Sequence, residues 1–295
     1  MNNLQKISRC RFATLSSARQ KILSAGLRVL LFASGVGLLF SAASCTTMPL
    51  TGRSQLTLVP QSTMNSMSSQ QYQEFLNEAE VITGTKEAEM VQRVGKRLQR
   101  AAEYHLQSKS MAEQINEYDW EFNLIKDDSL NAWAMPGGKV VVYSGLLPVA
   151  EDDKGLAVVV GHEIAHALAR HGNERMSQAL AFQLGGMALS TAISKEPEET
   201  QRLWMAAFGL GAQYGVLYPF SRTHETEADR IGLMLMSLAG YDPHAALAFW
   251  ERMMEKKDQP SPPEFLSTHP ADDSRISNLR RAIPAVMPYQ GMAQP

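Results

Sequence analysis

The sequence predicts a mainly α-helical protein with a small β-sheet, an α+β arrangement, and three observations support this prediction. Val91, Val94 and Leu98 recur at three- and four-residue steps, which is typical of an amphipathic helix with one apolar stripe. Short runs rich in β-branched and aromatic residues, bounded by turn residues, then predict strands. After Ser144 the apolar pattern is again helical nearly to the end of the chain. The β-rich runs are residues 120–125, 131–138 (with its turn) and 139–143.

The composition fits a globular body and argues against some classes of partner. A chain of 295 residues, 44% of them hydrophobic, can bury a sizeable core. Residues 1–45 contain six basic residues and no acidic one, which leaves 22 basic against 30 acidic residues, a net charge of about −8, for the rest. An acidic body is a poor fit to nucleic acid or anionic lipid headgroups, so no nucleic-acid partner is expected.

Residues 1–44 are predicted to be an export signal. A basic stretch ends at Arg28, and an apolar run at 29–40 leads through small residues to Cys45. The run is near 12 residues, whereas a spanning helix needs about 20. A Cys directly after small residues is typical of a bacterial lipoprotein, so Cys45 is predicted to be lipidated; an uncleaved anchor or ordinary cleavage nearby are the alternatives. Thr46 is not the Asp typical of inner-membrane retention, which favours an outer-membrane anchor that faces the periplasm.

Three further segments follow the signal. Residues 45–70 are rich in Ser, Thr, Gln and Pro and are predicted to be a lipid-anchored tether. The helical pattern becomes clear from about Gln71, so residues 71–285 are predicted to form the folded domain that carries the site. Residues 286–295 are predicted to be a flexible tail.

A long apolar helix is predicted to carry the main motif of the chain. It is expected to begin near Asp152 or Asp153, either of which can cap free backbone N–H groups, and to end near Gly172 and Asn173. Further helices are predicted at 176–193, 203–217 and 223–239, after Asp242-Pro243, and after Pro270.

His162, Glu163 and His166 lie on this helix in the spacing of a catalytic zinc site. Positions four apart share a helix face, so two imidazoles can grip one zinc ion. Glu163 would take a proton from the water that such an ion activates. The alternative is a helix with two surface histidines, but this helix is otherwise strongly apolar, and a buried cluster of this kind without a metal is costly. Zinc is favoured, although cobalt or manganese would also be accepted.

A third protein ligand is needed, and the residues alone leave its identity open. His171 lies nine positions after His162, close to 180° around a continuous helix, so it is predicted to point away from the metal. Glu225 and Asp229 are four apart and share a helix face. Glu225 can bind the metal while Asp229 accepts a hydrogen bond from a ligand imidazole. The alternative for these acidic residues is a solvated helix start.

Three motifs occur in order, and together they resemble a known family. They are Asn131-Ala132-Trp133-Ala134-Met135-Pro136-Gly137-Gly138, then His162-Glu163-Ile164-Ala165-His166, then Ser221-Arg222-x-x-Glu225-x-x-Ala228-Asp229. Over roughly residues 71–282, the chain resembles metallopeptidase family forty-eight, which includes the CAAX prenyl proteases. Residues 51–56, Thr-Gly-Arg-Ser-Gln-Leu, look like the periplasmic lipoprotein branch of that family.

The resemblance implies a thermolysin-like gluzincin fold with one zinc ion per chain. It implies His162, His166 and Glu225 as zinc ligands, Glu163 as the catalytic base and Asp229 as the partner of a ligand imidazole. The strand at 139–143, or the segment just before it, would line the cleft, and an extended substrate could pair with such an edge.

His269, in the loop Thr268-His269-Pro270, is a further candidate. The resemblance implies that a His in this context can approach the zinc. It could then act as an inhibitory fourth ligand, or as an electrophile that stabilises the oxyanion. The alternative is a loop histidine that caps the last helix. The remaining histidines are interpreted as surface or packing residues; they are His105, His224 and His244.

The function that these observations favour is a zinc endopeptidase of the bacterial cell envelope. It would cleave misfolded or unfolded envelope and outer-membrane proteins as protein quality control. The alternative is a chaperone or assembly factor that works with the outer-membrane assembly machinery and has a closed, largely non-catalytic zinc site. A metal-dependent enzyme of another reaction type is a third possibility.

Overall fold

The computed structural model describes residues 45–48, 50–194, 198, 201–202, 205–206, 208, 218–256, 264–270 and 272–294. The predicted export signal at 1–44 and most of the predicted helix at 203–217 lie outside these residues. Among the described helices, none has the length and apolar character that crossing a membrane requires.

Helices dominate the described part of the chain, and the strands are short, which confirms the predicted α+β class. The helices are α1 (Gln61–Glu78), α2 (Lys86–Ser108), α3 (Leu147–Ala150), α4 (Asp153–Leu168), α5 (His171–Ala192), α6 (Tyr218–Leu238), α7 (Ala245–Glu255), α8 (Glu264–Thr268) and α9 (Asp273–Val286). The strands are β1 (Cys45–Thr47), β2 (Ser54–Leu56), β3 (Val81–Ile82), β4 (Glu121–Ile125), β5 (Ala132–Met135) and β6 (Lys139–Tyr143).

One four-stranded sheet, in the order β3-β4-β6-β5, supports the site. β4 and β6 are parallel, whereas β5 pairs antiparallel with β6, with Ala132 opposite Val142. The β5–β6 turn depends on glycine, because Gly138 has φ 90° and a Cβ there would lie 2.7 Å from the Trp120 ring. The strand at 139–143 is confirmed but is internal, so the segment before it, β5, forms the edge of this sheet.

α4 is the central helix of the core. Asp152 caps its first turn by accepting hydrogen bonds from the backbone N–H groups of Lys154 and Gly155, as predicted. All residues from Gly155 to Leu168 are buried, because α2, α6, α7 and β5 surround the helix. A helix that is apolar on every side is suited to such a position.

α4 and α6 approach each other closely at two glycines. A Cβ on Gly232 would lie 3.2 Å from the backbone nitrogen of His162, and one on Gly161 would lie 3.4 Å from the carbonyl oxygen of Gly232. Small residues at such a crossing let two helix backbones come together. This approach holds the acidic face of α6 against the histidine face of α4.

The end of α4 differs from the prediction. The helix ends at Leu168 rather than near Gly172, because Arg170 adopts a left-handed conformation (φ 55°, ψ 32°) that turns the chain. The Arg170 guanidinium is bonded to the Glu117 carboxylate at 2.8 Å. His171 therefore starts a new helix, α5, and does not continue α4 as the prediction of its direction assumed.

The segment at 45–70 is folded rather than extended. Residues 45–56 form an antiparallel hairpin of β1 and β2, here called the N-terminal hairpin, and α1 begins at Gln61. Gln55 donates a hydrogen bond to the Ala169 carbonyl oxygen at 2.6 Å, which ties the hairpin to the end of α4. The described part of the 286–295 tail is also attached, since Gly291 and Ala293 donate backbone hydrogen bonds to the last turn of α6.

Candidate metal centre

His162 and His166 occupy successive turns of α4, and their Nε2 atoms are 3.0 Å apart. Both side chains are buried, at 2% and 8% exposure. Two imidazoles that turn the same nitrogen towards one point are arranged as a pair of metal ligands.

Glu225, on α6, completes a three-residue cluster. Its Oε2 lies 3.2 Å from Nε2 of His162, and its Oε1 lies 3.4 Å from Nε2 of His166. The side chain is buried, so the alternative of a solvated acidic helix start does not describe it.

His269 joins the cluster from the loop before α9. Its Nδ1 is 3.1 Å from Nε2 of His162 and 3.0 Å from Oε2 of Glu225. Its backbone N–H donates to the Phe265 carbonyl at 2.8 Å, which fixes the loop against α8. The ligand atoms of His162, His166, Glu225 and His269 all lie within 4.8 Å of one another.

The donor set fits a zinc ion. Ligand atoms around a tetrahedral zinc are about 3.4 Å apart, because the bonds to N and O are about 2.0–2.2 Å long. The nearest donor pairs here are separated by 3.0 to 3.4 Å. Two or three imidazoles and one carboxylate are the ligand types of catalytic zinc sites.

Glu163 provides a second indication of fit. Its side chain is 3% exposed, and within the described residues its Oε1 atom has no hydrogen-bond partner. That oxygen lies 3.4 Å from Nε2 of His269, beside the cluster. A buried carboxylate oxygen left without a partner is costly unless a small polar molecule or a metal-bound group completes it.

Asp229 orients the first histidine. Its Oδ1 lies 3.0 Å from Nδ1 of His162, the nitrogen that faces away from the cluster. Arg275 holds this carboxylate with two hydrogen bonds of 2.7 and 2.9 Å, and its guanidinium stacks over the Trp250 ring at 3.5 Å. The same guanidinium donates to the Pro270 carbonyl at 3.1 Å, so it also holds the His269 loop.

Arg275 was not predicted from the sequence. It lies six positions after His269, on the helix predicted to follow Pro270, and this spacing is the signal that could have pointed to it.

His171 is not among the four residues of the cluster, in line with the sequence prediction, but it packs directly behind His166. Its Nδ1 is 2.8 Å from Nδ1 of His166, and its Nε2 is 3.0 Å from Oε2 of Glu227. His224 is a buried packing residue, one of the two alternatives expected for it, and its ring stacks on His171 with 4.2 Å between ring centroids. His244 is exposed, as expected.

The electrostatics of the cluster favour a cation. Burial alone would lower the pKa of His162, but hydrogen bonds with Asp229 and Glu225 outweigh it and raise the pKa to about 9. Burial alone would raise the pKa of Glu225, but its bonds with His162, His166 and His269 hold it far below the ordinary range. The carboxylates thus attract positive charge into a buried site.

A cleft of about 290 Å³ opens beside these residues. The edge strand β5 borders it through Ala132, Trp133 and Ala134, and Glu163 and His269 lie on its wall. A peptide in this cleft would therefore lie between the edge strand and the metal cluster.

Comparison with known proteins identifies the family. The model of Peptidase family M48 matches residues 85–283. The mitochondrial metalloendopeptidase OMA1 of Schizosaccharomyces pombe is 38% identical over 171 residues, 58% of this chain and 48% of the relative. The OMA1 of Bos taurus is 33% identical over 269 residues, 86% of this chain and 49% of the relative. The β-barrel assembly-enhancing protease of Escherichia coli is 34% identical over 172 residues, 55% of this chain and 34% of the relative.

The chain spans half or less of the length of these curated relatives. The family match, however, contains all three motifs of the metal centre: the β5 segment, the two histidines of α4 and the acidic face of α6. It also covers well over half of the chain, and on that ground the protein belongs to Peptidase family M48.

Proposed function

We propose that this protein is a zinc endopeptidase that cleaves unfolded or misfolded proteins of the bacterial cell envelope. The observation that carries the proposal is the convergence of His162, His166 and Glu225 beside a buried Glu163 oxygen that has no hydrogen-bond partner among the described residues, within a cleft bordered by an edge strand. A peptidase needs these three features together: metal ligands, a proton acceptor and a place for an extended chain.

Each residue of the cluster has a role in this proposal. His162, His166 and Glu225 hold one zinc ion, which supplies Lewis acidity for the peptide carbonyl and for the attacking water. Glu163 accepts the proton of the attacking water and delivers it to the leaving amine. Burial raises the pKa of Glu163, which brings it closer to that of the groups with which it exchanges the proton. Asp229 accepts the Nδ1–H of His162 and keeps its Nε2 free for the metal.

The edge strand supports a preference for unfolded substrates. β5 pairs with β6 on one side and borders the cleft, so an extended peptide could pair with the backbone groups at its other edge. A folded segment has its backbone groups already paired and cannot add to the edge in this way.

The envelope location is part of the proposal. One curated relative is named as a protease that enhances β-barrel assembly, and others are named as mitochondrial. The bacterial, lipid-anchored location is supported by the basic and apolar pattern of 1–44 that leads to Cys45. Membrane fractionation of the full chain tests the anchor: Cys45→Ser is expected to leave the membrane fraction, and identical behaviour to wild type would refute lipidation.

Cleavage of casein by the full chain tests the activity. Wild type is expected to cut this unfolded protein, and Glu163→Gln, with zinc bound at one per chain, is expected to lose most activity because no group accepts the proton. Glu103→Gln, on the remote helix α2, is the matched control and should cut as wild type does. Cutting by Glu163→Gln at the wild-type rate would rule out Glu163 as the base.

A second candidate function is supported by His269. Its Nδ1 lies 3.1 Å from Nε2 of His162 and 3.0 Å from Oε2 of Glu225, close to the spacing of two ligand atoms on one zinc ion. A zinc ion there would have four protein ligands, as in closed structural sites. The protein would then act as a chaperone or assembly factor for outer-membrane proteins. Full zinc occupancy in wild type without any casein cleavage would move this function to first place.

A further inference from the structure

The residues behind His166 form a polar network that the proposed catalytic roles do not use. At its centre, Arg53 of the N-terminal hairpin lies between two buried carboxylates. It donates two hydrogen bonds to Glu174, at 2.9 and 2.7 Å, and one to Oε2 of Glu227, at 2.8 Å. Thr51 of the same hairpin donates to the other oxygen of Glu227. A planar guanidinium can hold two carboxylates at once, which a single ammonium cannot do.

Each of the two carboxylates holds one histidine. Glu174 bonds Nε2 of His224 at 2.8 Å, and Glu227 bonds Nε2 of His171 at 3.0 Å. The two rings are stacked, with 4.2 Å between centroids and 19° between planes. Stacking on His224 fixes the plane of the His171 ring, and the hydrogen bond to Glu227 fixes how the ring is turned within that plane.

If His166 binds a metal ion, the position of each proton along the hydrogen bonds from His166 through His171 to Glu227 is fixed. If Nε2 of His166 binds the ion, its N–H must be on Nδ1, and this N–H points to Nδ1 of His171 at 2.8 Å. His171 must therefore accept at Nδ1 and carry its own proton on Nε2, which it donates to Glu227. At His162 no second histidine lies between the ring and the carboxylate, since Asp229 accepts the Nδ1–H of His162 directly.

We propose that Thr51 and Arg53 of the N-terminal hairpin are positioning residues of the metal centre. They hold Glu227, Glu227 orients His171, and His171 fixes the tautomer and the ring orientation of His166. The inference rests on the proposed metal site. It gives a role to the Thr51-Gly52-Arg53 motif, which lies 109 positions or more before the first proposed zinc ligand, His162, and supplies none of the four residues of the cluster.

Zinc affinity of the full chain, measured in competition with a chromophoric chelator, tests this relay. His171→Phe keeps a planar ring but removes the acceptor, and it should weaken zinc binding by about 10–100-fold, the usual effect of losing such a partner. His171→Gln retains an acceptor and a donor and should recover much of that loss. Cobalt(II) bound in place of zinc should show altered visible bands in His171→Phe, because the orientation of a ligand ring has changed.

Arg53 is tested with a variant that preserves folding. Arg53→Met would leave two buried carboxylates without a counter-charge, so Arg53→Lys is the milder change: it keeps the charge but cannot bridge both carboxylates. It should weaken zinc binding by roughly tenfold. Arg252→Met is the matched control, since Arg252 is similarly exposed (27% against 20%) and pairs with Glu151, outside the network. It should bind zinc as wild type does.

The double variant distinguishes a relay from separate effects. If Arg53 acts through His171, the zinc affinity of Arg53→Lys/His171→Phe should equal that of His171→Phe alone. Additive losses would overturn the relay. Unchanged zinc affinity in both single variants, with only a lower stability of the metal-free protein, would reduce the network to a structural clamp. A wild-type chain that binds no zinc would overturn the proposed function as well.

Discussion

At the scale of single residues, His269 decides how many protein ligands the proposed metal site would have. With His269 the cluster offers four donors, and without it three, which is the difference between a closed zinc site and one with a free position. The backbone of its loop is held by two hydrogen bonds: the His269 N–H donates to the Phe265 carbonyl, and the Arg275 guanidinium donates to the Pro270 carbonyl. The His269 side chain can therefore be replaced without removing these bonds.

We therefore expect His269→Ala to cleave casein faster than wild type. If the form with His269 on the metal is about ten times more populated than the form without it, removing the side chain should increase the initial rate about tenfold. His244→Ala, at an exposed histidine, is the control and should leave the rate unchanged. A slower rate for His269→Ala would instead assign His269 to stabilising the oxyanion.

Site residues could be predicted where the pattern is local. His162, Glu163 and His166 follow from spacing on one helix, and Asp152 could be recognised as its cap because a capping residue acts within one turn. His171 could not be placed, because the left-handed Arg170 breaks the helix between it and His166. Arg275 reaches Asp229 only through tertiary packing, and no periodic pattern records that contact.

At the scale of elements, α2 packs against the sheet at a glycine. A Cβ on Gly95 would lie 2.4 Å from the ring of Phe122 in β4, closer than any real contact. The residues of the predicted stripe, Val91, Val94 and Leu98, are buried on the same helix. The close approach of α2 to β4 thus depends on the absence of a side chain at one position.

Gly95→Ala should therefore destabilise the protein although alanine favours a helix. The helical gain is about 1 kcal/mol, whereas overpacking a core costs about 1–3 kcal/mol, so urea denaturation should show a lower free energy of unfolding. Adding Phe122→Leu, which removes the ring, should restore part of the loss. Gly186→Ala on α5 should not lower the free energy of unfolding, because the nearest atom that a Cβ there would meet among the described residues is 3.6 Å away. Equal effects at both glycines would contradict the packing argument.

The elements were predictable to different degrees for a physical reason. α2 has a periodic apolar pattern because it buries one face, and β6 has a continuous run of valines because it buries both faces. The positions of both elements could therefore be predicted from the sequence. The N-terminal hairpin has no such pattern. Its Ser-, Thr- and Gln-rich segment is folded because Arg53 and Gln55 bond to α5, α6 and the end of α4, which are distant in the chain.

At the scale of the whole molecule, the network around Arg53 links stability to pH. Burial alone would raise the pKa of Glu174, but hydrogen bonds from His224 and Arg53 outweigh burial and hold the pKa below its ordinary value of 4.5. The unfolded chain therefore takes up this proton before the folded protein does, as the pH falls. The stabilisation is complete above pH 4.5 and is lost as the pH falls through the folded-state pKa.

Urea unfolding of the metal-free protein, from neutral pH into the acid range, should show this loss. The contribution of Glu174 to the slope is at most about 1.4 kcal/mol per pH unit. Glu174→Gln should be less stable at neutral pH, because Arg53 and His224 lose a charged partner, but it should have a flatter dependence below pH 4.5. If the free energy of unfolding falls equally with pH in wild type and Glu174→Gln, Glu174 is not the origin of the pH dependence.

The contacts that build the metal centre also set when it can exist during folding. Arg53 and Glu227 are 174 positions apart, and His162 and His269 are 107 apart, so the centre needs nearly the whole described chain in place. Contacts of such long range form late. A chain that is still being synthesised has its two histidines before it has Glu225, and it lacks the folded network behind them. The proposed proteolytic activity would therefore begin only once the protein is folded, so a chain that is not yet folded contributes no active site.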